Sequence, residues 1–169
     1  MKTARTIVLC AGIAVLVAGF AIPERLVVPV QGATRSDWNP ATFWHSPWGA
    51  SGVHKGIDIF AKEGTPVVAA APGLVLYSGT LALGGNVVIV AGPKWRLHYY
   101  AHLRERTTGG GHLVAKGEIL GTVGATGNAA GKPPHLHYTI ATPIPYPWRA
   151  DRGTQGWKKM FYLNPLDRL

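Results

Sequence analysis

The sequence predicts a mostly β fold, a compact antiparallel β-sandwich or barrel-like single domain preceded by an N-terminal apolar helix. A length of 169 residues suits one domain. The 22 Gly and 13 Pro argue against coiled coils and long helical bundles. From residue 53 onward, short β-branched or aromatic runs alternate with Gly, Pro or Asn, as in NVVIVAGP, LHYYAHL and PHLHYTI. This sequence pattern is typical of successive antiparallel strands.

The apolar helix is predicted from the first 25 residues. Lys2 and Arg5 precede an uncharged run from Ile7 to Ile22, which we interpret as an export segment. Gly19 and Ala21 would allow cleavage as a signal peptide, but the run exceeds a typical signal core, so we favour an uncleaved membrane anchor. Because basic residues stay on the cytoplasmic side, the rest of the chain is expected in the periplasm or on the outer face of the membrane.

The segment 26–52 is predicted to be a linker and lead-in, and the folded domain to span residues 53–142. Residues 143–169 are expected to form a C-terminal extension packed on that domain. The chain carries 17 Lys and Arg against 8 Asp and Glu, a formal charge of +9. This positive charge makes nucleic acid, anionic lipid and the anionic cell wall candidate partners.

Cysteine usage restricts the kind of metal site that the chain could form. Cys10 is the single cysteine, which excludes an internal disulfide and a cysteine-based zinc finger. A metal would therefore have to be held by His and carboxylate side chains.

The histidines that could do so fall into two short motifs. HKGID places His54 four residues before Asp58, and PHLHY places His135 two residues before His137. Even offsets on a strand share one face, so each pair can converge. Two residues along a strand span roughly 6.6 Å, too far for both members of the second pair to bind one ion easily. One should bind, and the other should stand beside the ion.

Two His and one carboxylate leave a fourth position open for water, as in a catalytic zinc site, although nickel, copper or a structural ion would use similar ligands. The sequence contains no H-E-x-x-H, so the Glu base of that class is absent. His102, in HYYAHL, is the predicted proton-transfer residue, with His135 as its partner across the metal. By strand parity His98 is expected on the same face as His102, where it would hydrogen-bond or pack.

Five blocks together carry a family resemblance. HKGIDIFAKEGTPVVAAAPGLV, LGGNVVIVAGP, HYYAHL, GEILGTVGATGN and PPHLHY follow one another over about 90 residues. In this order they resemble the lysostaphin/LytM-type zinc endopeptidases, which cut peptidoglycan peptides. Two departures are visible: Lys132 and Pro133 look like an insertion, and Tyr138, Thr139 and Ile140 replace a commoner aromatic-acidic strand ending.

The resemblance implies a Zn²⁺ cofactor held by His54, Asp58 and His137. It implies that His102 and His135 position the water and stabilise the oxyanion. It also implies an open groove on a small antiparallel β structure, and a zinc-dependent endopeptidase that hydrolyses cross-links or stem peptides of peptidoglycan. Peptidoglycan peptides are the expected partner, nucleic acid is not, and the chain is expected to be a monomer.

Two other classes compete with this interpretation. A non-catalytic LytM-like wall-binding or amidase-activating module would share the fold, yet such proteins typically lack a metal ligand, and here all three are present. A biotinyl or lipoyl carrier would need a Lys at an exposed hairpin tip. The only Lys-Met pair, Lys159-Met160, lies in the C-terminal extension.

Overall fold

A seven-stranded antiparallel sheet organises the computed structural model of the protein, which describes residues 2–169 and, within the first helix, the side chains of residues 6, 7, 10–12 and 14–21. Helix α1 spans Lys2–Ala21. The strands are β1 (Ile57–Phe60), β2 (Pro66–Val68), β3 (Gly73–Leu81), β4 (Gly85–Ala91), β5 (Leu97–Leu103), β6 (Leu113–Val114), β7 (Ile119–Thr122), β8 (His135–Ala141) and β9 (Tyr162–Leu163). Short 3₁₀ helices span Arg35–Asp37, Pro40–Thr42, Gly49–Ser51, Pro93–Trp95, Gly127–Ala129, Pro147–Arg149, Gly156–Phe161 and Pro165–Asp167.

The large sheet has the order β1-β8-β5-β4-β3-β6, with β9 beside the far end of β8, and β2 pairs with β7 in a second, two-stranded sheet. Every strand pairing is antiparallel. The prediction of a mostly β, antiparallel single domain preceded by an apolar helix is confirmed.

The two faces of the large sheet have different roles. Ile57, Ile59, Tyr100 and Tyr138 are fully buried in the core together with residues of the small sheet such as Leu120. Burial of each such side chain contributes about 1.5–3 kcal/mol. Because side chains alternate along a strand, the residues between them point to the opposite face. That opposite face carries the candidate site.

Helix α1 contains the basic residues Lys2 and Arg5 within its 20 residues. Among the residues that the structure describes, no helix combines the length and the apolar character needed to cross a membrane. The predicted membrane anchor is therefore not supported. The helix contacts the domain at Trp95, whose indole Nε1 donates a 2.8 Å hydrogen bond to the carbonyl oxygen of Leu16.

The segment predicted as linker and lead-in makes close contacts with the small sheet. The amide of Val27 donates to the carbonyl of Ala70 at 3.0 Å, and the amide of Val68 donates to the carbonyl of Pro29 at 2.9 Å. Val30 bridges to Val67 and is part of the core. This stretch therefore packs as an additional extended segment beside β2.

The two ends of the chain meet around a buried carboxylate. Glu24 forms ion pairs with Arg96 and, at 3.2 Å, with Arg168 near the C-terminus. His98 Nε2 lies 3.9 Å from the other oxygen of Glu24. A buried charge is tolerated only when it is paired. Glu24, three residues after the end of α1, thus links this part of the chain to Arg96, which directly precedes β5, and to the C-terminal extension.

Candidate metal centre and groove

Three of the predicted site residues meet at one point. Asp58 Oδ1 lies 3.0 Å from His54 Nε2 and 2.8 Å from His137 Nδ1, and these two nitrogens are 3.0 Å apart. Ligand atoms around a tetrahedral zinc at about 2.0–2.1 Å stand about 3.3 Å from one another. The cluster is thus a few tenths of an ångström tighter than a zinc coordination shell. Among the described side chains, it is the one group of His, Cys, Asp and Glu suited to hold a metal ion.

Strand register places two of these side chains together. Asp58 on β1 pairs directly with His137 on β8. His54, in contrast, precedes β1, which begins at Ile57, so the prediction that His54 and Asp58 share a strand face was wrong. The loop before β1 carries His54, and Gly56 allows that loop to lie against β8. A Cβ at Gly56 would overlap the carbonyl oxygen of Tyr138.

Hydrogen bonds on the outer side of each imidazole orient the lone pairs of the cluster. His54 Nδ1–H donates to the carbonyl of Thr42 at 3.0 Å, which leaves Nε2 as the inward acceptor. His137 Nε2 lies 3.0 Å from Thr139 Oγ1, a hydroxyl that accepts from Nε2–H in the tautomer that leaves Nδ1 as the inward acceptor. Partners of this kind fix the tautomer of metal-binding histidines. Both rings therefore present an unprotonated nitrogen to the same point as the Asp58 carboxylate.

The protonation states in the cluster suit a cation. Burial raises the pKa of Asp58, but the adjacent His137 and His54 rings outweigh it and hold the pKa of that carboxyl well below its ordinary value. Burial lowers the pKa of His137, and the adjacent Asp58 carboxylate opposes this only in part. Near neutral pH the cluster therefore contains a carboxylate and a neutral His137 imidazole, the forms that bind metal ions.

His102 and His135 lie beside the cluster with one ring nitrogen fixed away from it. His102 Nδ1–H donates to the carbonyl of Thr126 at 2.9 Å, and His135 Nδ1–H donates to the carbonyl of Pro133 at 2.8 Å. Their ring centroids are 5.1 Å apart, and His135 Nε2 lies 4.0 Å from Asp58 Oδ1. Burial, with smaller contributions from neighbouring histidines, lowers the pKa of His102 to about 4. All five predicted site residues are thus brought together.

A bulge in β5 separates His98 from His102. The pairing with β4 shifts register between Asn86 and Val88, and His102 has a φ of 64°. Two residues of β5, Ala101 and His102, therefore stand opposite the single residue Val87 of β4. Such a bulge reverses the alternation of side chains in the part of the strand that follows it. His102 therefore faces the site, whereas His98 is fully buried on the core side, where its Nδ1 is 2.7 Å from Tyr138 Oη. The prediction that the two histidines share a strand face was wrong.

The cluster opens into a groove with a volume of about 370 Å³. Its floor is the outward face of β4, β5 and β8, which contributes Ile89, Leu97 and Tyr99 among others. Tyr162, from β9, reaches into it from the C-terminal extension. Trp48 lines the groove next to the cluster, and its ring stacks on that of His54 with 4.2 Å between the ring centroids. The floor is mostly apolar, and the polar groups gather at the histidine side.

A sequence profile described as Peptidase family M23 matches residues 52–146, more than half of the chain. The chain belongs to peptidase family M23. The resemblance to lysostaphin/LytM-type enzymes is thereby confirmed.

Curated relatives support the same placement of this M23 chain. It is 37% identical over 103 residues to the peptidoglycan DD-endopeptidase ShyC of Vibrio cholerae, covering 61% of this chain and 23% of the relative. It is 36% identical over 113 residues to the L-Ala–D-Glu endopeptidase of Bacillus subtilis, covering 62% of this chain and 35% of the relative. The chain thus spans about a quarter to a third of the length of these relatives.

Solved structures agree with the fold. The catalytic domain of the antimicrobial peptidase lysostaphin from Staphylococcus simulans superposes with a TM-score of 0.58 at 26% identity, over 72% of this chain and 84% of that one. A zinc-containing peptidase from Vibrio cholerae gives a TM-score of 0.56 at 27% identity, over 69% of this chain and 37% of that one.

Several residues of the M23 groove were not anticipated from the sequence. Trp48 and Tyr99 were not singled out from the sequence as site residues, although the ring of Tyr99 lies 6.3 Å from that of His137. Alternation along β5 could have placed Tyr99 on the groove face. No sequence signal places Tyr162 there, because it arrives through the long-range pairing of β9 with β8.

Proposed function

We propose that this M23 chain is a zinc-dependent endopeptidase that hydrolyses peptide bonds in peptidoglycan, with the zinc held by His54, Asp58 and His137. The main support for this proposal is that His54 Nε2, Asp58 Oδ1 and His137 Nδ1 lie within 3.0 Å of one another beside an open groove. Two imidazoles and one carboxylate leave a fourth position open, which distinguishes catalytic from structural zinc sites. The zinc-containing relative from Vibrio cholerae supports the choice of metal.

The chemistry assigned to the chain's own residues is proton transfer. When bound, zinc supplies Lewis-acid polarisation of a carbonyl oxygen and lowers the pKa of water. His102 and His135 hold their Nδ1–H on backbone carbonyls, so each presents Nε2 as an acceptor. One of them takes a proton from the attacking water and, as the imidazolium, returns it to the leaving amine. The other orients the water and, once its own Nε2 carries a proton, donates that N–H to the tetrahedral oxygen and stabilises its charge.

The remaining parts of the proposal concern the place of the domain. We take residues 53–142 as the zinc peptidase domain and residues 143–169 as its packed extension. Peptidoglycan lies outside the cytoplasmic membrane, so the proposed substrate requires export, for which the N-terminal basic residues and apolar run provide a signal. The relatives named as peptidoglycan and L-Ala–D-Glu endopeptidases support this substrate.

The test is zinc analysis combined with digestion of purified peptidoglycan by the full chain and its variants. Ala at His54, Asp58 or His137 should remove zinc and activity together, because these side chains supply the lone pairs. Ala at His102 or His135 should keep zinc and lower the rate by roughly 10²–10⁴-fold.

A matched control and the bond cleaved complete the test. His112 is exposed and lies outside the groove, so His112→Ala should change neither zinc content nor rate. Digestion should release new amine termini, since no Asp or Glu among the described residues lines the groove, whereas hydrolysis of a sugar linkage uses a pair of carboxylates. New reducing ends with intact peptides would refute an endopeptidase. Stoichiometric zinc without any hydrolysis would instead identify a non-catalytic wall-binding module.

A further inference from the structure

The groove of this M23 domain has an unbalanced charge. Among the described residues that line it, the only Lys, Arg, Asp or Glu side chains are two lysines, Lys55 and Lys132. Lys132 is exposed, so solvent screens its charge. Lys55 is half-buried and directly follows the proposed zinc ligand His54. Of the two, Lys55 has the position and the burial to act on a bound ligand.

The ammonium group of Lys55 is held in place by backbone oxygens. Its Nζ donates to the carbonyl of Ser51 at 3.0 Å and, more weakly, to the carbonyl of Val53 at 3.5 Å. An ammonium group has three N–H donors. One donor of Lys55 is therefore free, while the side chain is fixed at the edge of the groove.

A second cation supports the first. Gln155 Nε2 donates to the same Ser51 carbonyl at 2.9 Å, and Gln155 Oε1 accepts a 3.0 Å hydrogen bond from Lys158 Nζ. Ser51 and Gln155 thus connect the two ammonium groups, one from the loop before β1 and one from the C-terminal extension. In the described part of the chain, no carboxylate lies within ion-pair distance of either lysine. Two fixed like charges without a counter-ion attract an anion.

We propose that Lys55, supported by Lys158, binds a free carboxylate of the peptide substrate beside the scissile bond. The site would thereby select an acidic stem peptide over a neutral glycyl bridge. This inference rests on the proposed function, since it names the substrate class of the same groove. The relative named as an L-Ala–D-Glu endopeptidase acts next to such an acidic residue, and a charge-assisted hydrogen bond discriminates against a neutral isostere.

The experiment compares two synthetic stem peptides that contain L-Ala–D-Glu, one with the free α-carboxyl of D-Glu and one with that group amidated. The full chain, loaded with zinc, is assayed for kcat/KM and, by calorimetry, for Kd. We expect the free acid to be preferred by about tenfold or more, as for a hydrogen bond to a charged group. In Lys55→Gln this ratio should fall towards one. Lys116→Gln, an exposed lysine outside the groove, removes the same charge and should keep the ratio.

The outcomes separate this inference from the proposed function. Zinc content shows whether Lys55→Gln keeps the adjacent metal site. Equal treatment of the two peptides by the unsubstituted chain, or a ratio unchanged by Lys55→Gln, would overturn the carboxylate site while leaving the endopeptidase intact. If neither peptide is hydrolysed, the digestion of purified peptidoglycan described above decides the endopeptidase, and the Kd ratio still decides the carboxylate site.

Discussion

Substitution of His102 by Gly and by Ala separates the backbone cost of this position from the chemistry of its imidazole. The φ of 64° places His102 in the left-handed region, where a residue with a Cβ loses about 1–2 kcal/mol and glycine loses nothing comparable. The extra freedom of glycine in the unfolded chain offsets about 0.4–1 kcal/mol of that gain. Both variants lose the hydrogen bond to Thr126. We therefore expect His102→Gly to be more stable than His102→Ala by roughly 1 kcal/mol.

Urea unfolding measures this difference. With a slope of about 2 kcal/mol per molar urea, the midpoints should differ by about 0.5 M. Both variants should retain zinc and lose roughly 10²–10⁴-fold in peptidoglycan hydrolysis, because neither has a proton acceptor at this position.

Lys94 provides the matched control, since its φ is 58° and it lies outside the groove. Lys94→Gly should exceed Lys94→Ala in stability by a similar amount and leave hydrolysis unchanged. Equal midpoints for the two His102 variants would contradict the assigned backbone cost. Full hydrolysis by either would exclude proton transfer by His102, and loss of zinc would make His102 a ligand.

Three further substitutions or conditions test the site's supports. Gly56→Ala should lower zinc affinity at least about tenfold, because a Cβ there forces the loop away from β8. Gly110→Ala, whose Cβ would make only ordinary van der Waals contact, should not, and zinc competition measures both. Tyr100→Phe should lower the free energy of unfolding in urea by about 1–3 kcal/mol, because the buried amide of Ala70 loses its acceptor. Tyr77→Phe, which removes an exposed hydrogen bond, should lower it little, and equal losses would contradict this reasoning. Burial, with help from a nearby arginine, lowers the pKa of His98 to about 4. The unfolded chain, with an ordinary pKa near 6.5, then binds the proton first, so His98 should contribute up to about 3 kcal/mol to the fall in stability of the metal-free protein between pH 6.5 and 4, beside the contributions of His102 and His137. An equal fall in the unsubstituted protein and in His98→Gln would contradict this contribution.

The part of the site that could be predicted from sequence is the part carried by regular strands. Asp58 and His137 face each other because β1 and β8 are ordinary antiparallel partners. Both residues lie within sequence runs that are typical of strands. The β runs themselves follow from local composition. The family resemblance added the order of the blocks and the choice of His137 over His135.

The remaining features of the site could not be predicted, because they depend on irregularities in single strands and on pairing between segments far apart in the sequence. The bulge at His102 inserts one residue into β5, and no residue type in HYYAHL marks it, so parity misplaced His98. His54 reaches the cluster from a loop whose course is set by close packing on β8. Lys158 enters the groove region only because β9 and the C-terminal extension return to the sheet.

The buried ion pair of Glu24 limits how far the groove can move from the C-terminal end of helix α1. Only Ile22 and Pro23 separate the end of α1 at Ala21 from Glu24. Three Cα steps reach at most about 11 Å, and Pro23 restricts the backbone further. The C-terminal end of α1 therefore stays within about one helix diameter of this ion pair. Anything attached at that end would stay correspondingly close to Arg96 and Arg168, the two partners of Glu24.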